Sequence, residues 1–303
     1  MSGIEAFSPK GMLHEGWSAQ VDDYAIACGW ALEGQIFLVG DVAGGLYAFE
    51  GKSGELIWQT EGNHKGGFKI YGWRNVPINS SIIGDKAKAT RPEIEQILIS
   101  NDKFEDEIEI DNRLYIIRKR IEKEIRTQNI SNFYICSLSC QSIIYKGMFL
   151  AEQLSNFYPD INDKLFVSKY AVYHQRYSTN TFPTWSLAQP FRVIAHNGEI
   201  NTLKGNKNWM AAHEPRLSHS NFEDSINDLK PIIDEDASDS AALDSTIELL
   251  IRSNRSLPMA KLLTIPEAWA HRRDFQKKLK DLYAYANAVM EPWDGPAAIC
   301  GAH

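Results

Sequence analysis

Three stretches of this sequence gather polar side chains next to apolar runs, and each offers a different chemistry. In HQRYSTNTFPTW (174–185), Arg176 closes an apolar run. A guanidinium there can grip a carboxylate through two parallel N–H donors, which a lysine does less well. An arginine in that place also serves simply by pairing with a local acid or capping a helix. In AHNGEINTLKGN (195–206), Asn197 and Gly198 directly follow a strand-like run. A side-chain amide beside a backbone N–H can donate to a developing oxyanion, and glycine lets a substrate come close to the backbone. The plainer reading is a turn that uses Asn-Gly because both residues tolerate positive φ. In EDASDSAALD (235–244), Asp239 lies between two serines at the mouth of a helix. Its carboxylate can hold an ammonium group, or the segment is an N-cap, for which Ser and Asp are preferred.

Taken together, the loops offer a cation, a pair of oxyanion donors and an anion. Free glutamine demands that set: a grip on its carboxylate, a stabiliser for a tetrahedral intermediate and a grip on its ammonium. No nucleophile accompanies them.

The elements that must carry these loops read as mixed α and β. KYAVYHQRYSTN and PFRVIAHNGEI are expected as buried strands, each opening into one of the polar loops. NTLKGNKNWMAAHEPRL, SDSAALDSTIELLIRS, 256–269 and about 273–290 are expected as helices, and PWDGPAAICGAH as the start of a final strand. Upstream, ATRPEIEQIL reads as a helix start with Thr90 as cap and Pro92 in its first turn. A helix beginning at Asp111, a hairpin over NFYICSLSCQSIIYKG and a helix over FLAEQLSNFYPD closed by Pro159 complete that part. Residues 1–67 differ in character. They hold 13 of the 20 glycines, nine acidic residues and three lysines, and read as short strands and tight turns, with Gly51–Gly54 turning one hairpin. The alternation, with Asp41 and Trp58, resembles one blade of a WD40 or quinoprotein-like β-propeller, and a single blade cannot bury both its faces.

Composition bounds the class. The 303 residues carry 44% hydrophobic and 23% charged side chains and a formal net charge of -7, an ordinary globular balance. No basic run favours nucleic acid, and no apolar stretch approaches the roughly 20 residues that span a bilayer. The first residues lack the basic and apolar regions of a signal peptide, so a cytoplasmic setting is expected. The cysteines, Cys28, Cys136, Cys140 and Cys300, form no C-x-x-C pair; they read as reduced thiols and not as a metal site.

Residues 174–210, with YICSLSCQSIIYKGMFLAEQLSNFYPD upstream and SDSAALDSTIELLIRSNRSLP, IPEAW and MEPWDGPAAI downstream, resemble the glutaminase region of the large chain of glutamate synthase. That family is a class II, N-terminal-nucleophile amidotransferase, and the likeness covers residues 68–303. The resemblance implies an α+β fold, an αββα sandwich of two antiparallel sheets between helical layers. Here it would be incomplete at its N-terminus and preceded by the short all-β segment 1–67, foreign to the family. It implies that Arg176 binds the glutamine α-carboxylate, Asp239 binds the α-amino group, and Asn197 and Gly198 form the oxyanion hole. In the family, ammonia released at this site passes to synthase domains that make glutamate from 2-oxoglutarate. FMN and an iron–sulfur cluster belong to those downstream domains, so no cofactor is expected in this chain. A longer parent is expected, and oligomeric state is left open.

One departure matters. Family members present a processed N-terminal Cys-Gly, whose thiolate attacks the amide while its free amine serves as base. That start and the His-Arg-Gly region after it are missing here, through a gene fusion or an error of assembly. Cys28-Gly29 offers a poor substitute, because WALEGQIFLVGDVAGG after it matches a propeller strand; Ser2 is a poorer one, and Cys136 and Cys140 have no free amine. The expectation is a glutaminase domain that is inactive or impaired. The alternative is a non-catalytic glutamine-binding or protein-interaction fragment.

Overall fold

The computed structural model describes residues 2–7, 13–21, 25–31, 36–41, 46–50, 52–53, 55–60, 68–101, 103–128, 130, 133–177 and 182–302. The class is α+β, and the chain divides into two compact units. The first comprises residues 1–113, 121–134 and 155–163; the second comprises 114–120, 135–154 and 164–303.

The first unit is built from hairpins. Strands β1 (Ser2–Phe7) and β2 (Leu13–Val21) pair antiparallel. Strands β3 (Ala25–Ala31), β4 (Ile36–Asp41), β5 (Leu46–Glu50) and β6 (Leu56–Thr60) form a four-stranded antiparallel meander in chain order. Cys28 stands inside β3 opposite Val39. Strand β7 (Phe68–Asn75) leads to a short helix α1 (Asp85–Ala89) and returns as β8 (Glu95–Asn101), which pairs with β7 antiparallel.

The strand β8 overturns the helix expected from ATRPEIEQIL. Thr90 is the C-cap of α1, not an N-cap, and its hydroxyl donates to the Lys86 carbonyl. Beyond it the apolar period is 2, not 3.6: Ile97 and Ile99 pack on Ala48, Ile70 and Ile125, while Leu98 between them is exposed. Arg74 of β7 fixes this edge, with Nη1 and Nη2 donating to the Asp160 carboxylate at 2.8 and 2.6 Å and Nη1 also to Gln96 Oε1. Pro159 opens a 3-10 turn, 159–162, after a short helix α3 (Leu154–Phe157).

Helix α2 (Glu107–Thr127) begins four residues before Asp111, because the Asp106 carboxylate accepts the Ile108 N–H and caps it. Its residues 114–120 belong to the second unit. There Tyr115 and Ile116 join the main core with Val193, Ile194, Phe222, Leu243, Ile247 and Trp293. Strand β9 (Ile194–Gly198) pairs antiparallel with β10 (Ala297–Gly301), and helices α4 (Lys204–His213), α5 (Asp239–Arg252), α6 (Leu257–Thr264) and α7 (Lys277–Val289) lie between them in sequence. Helix α5 is buried over most of its length, capped by Ser238, whose side chain accepts the Ala241 N–H.

Two expected strand regions run differently. The 133–148 segment forms no ladder: Ser139 Oγ turns the chain by accepting the N–H groups of Gln141 and Ser142. Its arms are tied instead by side chains. Arg192 Nη2 donates to the Ile135 carbonyl, and Lys146 Nζ to those of Ser186 and Ala188. Residues 169–177 form no strand and none of them is buried; Tyr170 and Tyr173 are exposed, as are Leu165 and Val167 just before them, so alternation here reflects no sheet face.

In the core of the second unit Arg118 donates to the Glu248 carboxylate, with 3% and 6% of the two side chains exposed. Breaking such a pair from one side leaves a buried charge, so Arg118→Met should cost about 3–5 kcal/mol in urea unfolding. The double variant Arg118→Met, Glu248→Leu should recover much of that loss; no recovery would show that packing, not charge, dominates at this place.

Candidate active site

Strand β9 has two edges, and they are satisfied by different means. Ala195, Asn197 and Glu199 face β10, as the Glu199 N–H to Pro296 carbonyl bond (3.1 Å) shows. Ile194, His196 and Gly198 therefore present their backbone groups at the opposite edge. There side chains stand in for a strand. The Gln189 amide clamps His196, accepting its N–H at 2.6 Å and donating to its carbonyl at 3.0 Å. The Asp244 carboxylate of α5 accepts the N–H groups of Arg192, Val193 and Ile194, at 3.2, 2.9 and 2.9 Å. The next N–H along that edge is Gly198's.

Gly198 holds φ +128°, and a Cβ there would lie 1.9 Å from the Pro296 carbonyl oxygen. Across the ladder Gly295 (φ +137°) would meet the Glu199 carbonyl at the same distance. Both glycines are thus required by the close approach of the two chains. Asn197 and Gly198 are exposed at the strand end, whereas His196 turns to the other face and is buried.

Helix α5 brings the acid. Asp239, 4% exposed, is its first residue, and its Oδ1 accepts the Ser240 N–H at 2.6 Å and the Ser240 hydroxyl at 2.9 Å. The Ser240 hydroxyl also lies 3.4 Å from His196 Nδ1. Burial pushes the His196 imidazole below its usual range; the Asp239 charge works against that, His174 adds to it, and Glu199 works against it. His174 in turn accepts the Arg176 backbone N–H at Nδ1, 3.0 Å away. The charges of Asp239 and His174 thus reach the His196 ring, while Asn197 and Gly198 follow His196 along the strand. Arg176, two residues from His174, is exposed.

Three contributors to this site were not singled out in the sequence: His196, Gln189 and Asp244. Asp244 had a signal, a carboxylate beside Leu243 and Ile247 on a helix whose apolar residues are core. Gln189 had none, because its partner is backbone. Burial, with Glu248 beside it, raises the Asp244 carboxyl to about 6 despite the backbone donors and Arg192, which favour its charge. Lys146 is pushed down to about 8 by burial, although Cys136 and Asp244 oppose the shift. The thiols of Cys136 and Cys300 are free, and Cys136, Cys140 and Cys300 all lie within the chain. Among the described residues no three His, Cys, Asp or Glu side chains gather as a metal site, and no helix is long and apolar enough to cross a membrane.

Comparison with known proteins follows the same residues. The family described as "Glutamine amidotransferases class-II" matches residues 55–302. The chain is similar to the glutamate synthase [NADPH] large chain of Azospirillum brasilense, 58% identical over 233 residues, which cover 77% of this chain and 15% of that protein. It is 42% identical over 259 residues to the ferredoxin-dependent glutamate synthase of Pyropia yezoensis (84% of this chain, 17% of that one). It is 45% identical over 237 residues to the glutamate synthase [NADH] of Saccharomyces cerevisiae (76% and 11%). The chain therefore spans less than a fifth of the length of these relatives.

Two outcomes follow from the strand geometry. Gly198→Ala should lower stability by about 1–3 kcal/mol in chemical denaturation, from the strained backbone and the clash with Pro296; an unchanged midpoint would contradict the close approach. The Asp244 carboxyl titrates near 6 when folded and near 3.9 when unfolded, so its favourable contribution is complete below the lower value and lost as pH rises through the upper one. Wild type should thus lose on the order of 2 kcal/mol between pH 4 and pH 7 relative to Asp244→Asn. Parallel stability profiles for the two proteins would contradict the assignment.

Proposed function

Because the chain belongs to the class-II glutamine amidotransferases, we propose that its second unit binds free glutamine and descends from a domain that releases ammonia from it. The observation that carries this reading is the fastening of β9 to α5 by Asp244, which holds the Asn197–Gly198 strand end and the Asp239 carboxylate on neighbouring elements. Asp239 takes the α-ammonium of glutamine as a charge-assisted partner. Arg176 takes the α-carboxylate through its guanidinium fork. The Asn197 side-chain amide and the Gly198 N–H face the amide oxygen, where negative charge grows during attack. Support for the oxyanion role comes from strand alternation, which carries the Gly198 N–H to the edge that Gln189 and Asp244 have already filled behind it.

The attacking group of the family is a cysteine whose own amine is free. Cys136, Cys140 and Cys300, like Cys28 within β3, have their nitrogens in peptide bonds. We propose that the chain binds glutamine and, unless one of its cysteines is freed as an N-terminal residue, hydrolyses it little or not at all. An oxyanion hole without its nucleophile keeps only a small residue of catalysis. The wider setting follows the relatives, which are glutamate synthases: glutamate biosynthesis in the cytoplasm, with synthase domains as partners. FMN and the iron–sulfur cluster are part of the same proposal, assigned to those synthase domains by the likeness to glutamate synthases. The αββα sandwich, incomplete at its N-terminus, is part of the same proposal, as is the separate origin of residues 1–67.

Titration calorimetry with glutamine tests binding, and an ammonia assay on the same protein tests turnover. The expected result is a binding heat that Asp239→Ala abolishes and Arg176→Lys weakens by about 1–2 kcal/mol, with negligible ammonia. Normal glutaminase turnover would overturn the loss of activity; a heat unchanged in Asp239→Ala would overturn the pocket.

A further inference from the structure

We propose that His196 is a positioning residue, a neutral imidazole whose Nδ1–H reaches Ser240 and, through it, orients the Asp239 carboxylate toward the glutamine ammonium. The inference rests on the glutamine-pocket reading for its ligand, but the hydrogen-bond chain itself stands on geometry. The Ser240 hydroxyl has one hydrogen and two candidate acceptors, the Asp239 Oδ1 at 2.9 Å and His196 Nδ1 at 3.4 Å. The carboxylate is both nearer and charged, so it takes that hydrogen. The contact to His196 is then favourable only if Nδ1 is the donor. A neutral ring protonated at Nδ1 leaves Nε2 as a bare acceptor. His196 Nε2 is buried and has no hydrogen-bond partner among the described residues, as such a tautomer requires of a site that offers no acceptor.

The backbone makes this orientation rigid. Gln189 clamps His196 through both its N–H and its carbonyl, so the ring cannot drift along the strand. Asp239 Oδ1 receives two donors from Ser240, which fixes the carboxylate plane at the first turn of α5. The link therefore joins the strand bearing Asn197 and Gly198 to the helix bearing Asp239 at a second point, one strand residue away from the first of them.

A charge consequence follows. The groups facing the ring are Asp239 on α5, His174 on the preceding segment, and Glu199 just beyond β9. A proton added at Nε2 would place a cation beside Asp239 and oppose the substrate's ammonium. Glutamine affinity should therefore fall as pH drops below the ordinary imidazole range, and a variant without an imidazole should not show that fall.

The test is nitrogen NMR of the His196 ring in the full chain, with glutamine calorimetry beside it. The expected spectrum at neutral pH is a neutral ring protonated at Nδ1, which Ser240→Ala converts toward the ordinary Nε2–H form. Ser240→Ala and His196→Leu should each weaken glutamine about fivefold, the loss of one hydrogen bond. His196→Asn places an amide nitrogen where Nδ1 stood and should restore most of the affinity. It should also abolish the pH dependence. Should His196→Leu fail to fold, Ser240→Ala and the ring spectrum still decide. An Nε2–H ring in wild type, or a ring unchanged by Ser240→Ala, overturns the proposal. A wild type that binds no glutamine while showing the expected spectrum and its Ser240 dependence overturns the glutamine pocket and leaves the link intact.

Discussion

The backbone N–H groups of Arg192, Val193 and Ile194 end on the carboxylate of Asp244, and the N–H and carbonyl of His196 end on the amide of Gln189. A buried strand needs acceptors and donors along both edges, because each orphaned group costs about 1–3 kcal/mol. Strand β10 satisfies one edge of β9. On the other, two polar side chains replace a third strand. This substitution lets the edge end abruptly at Gly198, with an N–H that projects past the last clamp. It also ties the strand to helix α5 by its side chain and not by a loop. The relative placement of Asn197, Gly198 and Asp239 follows from that attachment.

The cost of the arrangement is electrostatic. Asp244 is wholly buried with Glu248 one turn away, and burial raises its carboxyl despite three backbone donors. Arg118 neutralises Glu248 in the same core. Fixing a strand edge with a carboxylate is stronger than with a neutral group because charge-assisted bonds are roughly twice as strong, but it demands a partner for every other charge nearby. The core of the second unit is thus a set of mutually dependent polar contacts inside an apolar shell of Leu243, Ile247, Phe222 and Trp293.

Much of the site was legible in sequence because strand, turn and helix start each left local marks. The apolar run before Asn197 is β9, the Ser-Asp-Ser cluster is the capped mouth of α5, and the helix expected over 256–269 is α6, which ends earlier at Thr264. Reading failed where a local pattern has two solutions. Thr90 and Pro92 suit a helix start, yet Thr90 ends α1 and the isoleucines beyond it alternate on a strand. Residues 133–148 and 169–177 alternate like strands, but alternation says nothing of a partner, and the first is held by Arg192 and Lys146 instead of a ladder. The clamps of Gln189 and Asp244 were least legible: the backbone donors of Asp244 lie some fifty residues away, the backbone partner of Gln189 lies seven residues on, and neither contact leaves a periodic trace.

Amide hydrogen exchange, resolved by residue, tests the side-chain edge most directly. The account predicts that in wild type the N–H groups of Val193, Ile194 and His196 exchange only with global unfolding. In Asp244→Ala those of Val193 and Ile194 should become exchangeable through local opening, beyond any change in global stability, while His196 stays protected by Gln189. Val193 and Ile194 amides that remain as protected as the core in Asp244→Ala would contradict it.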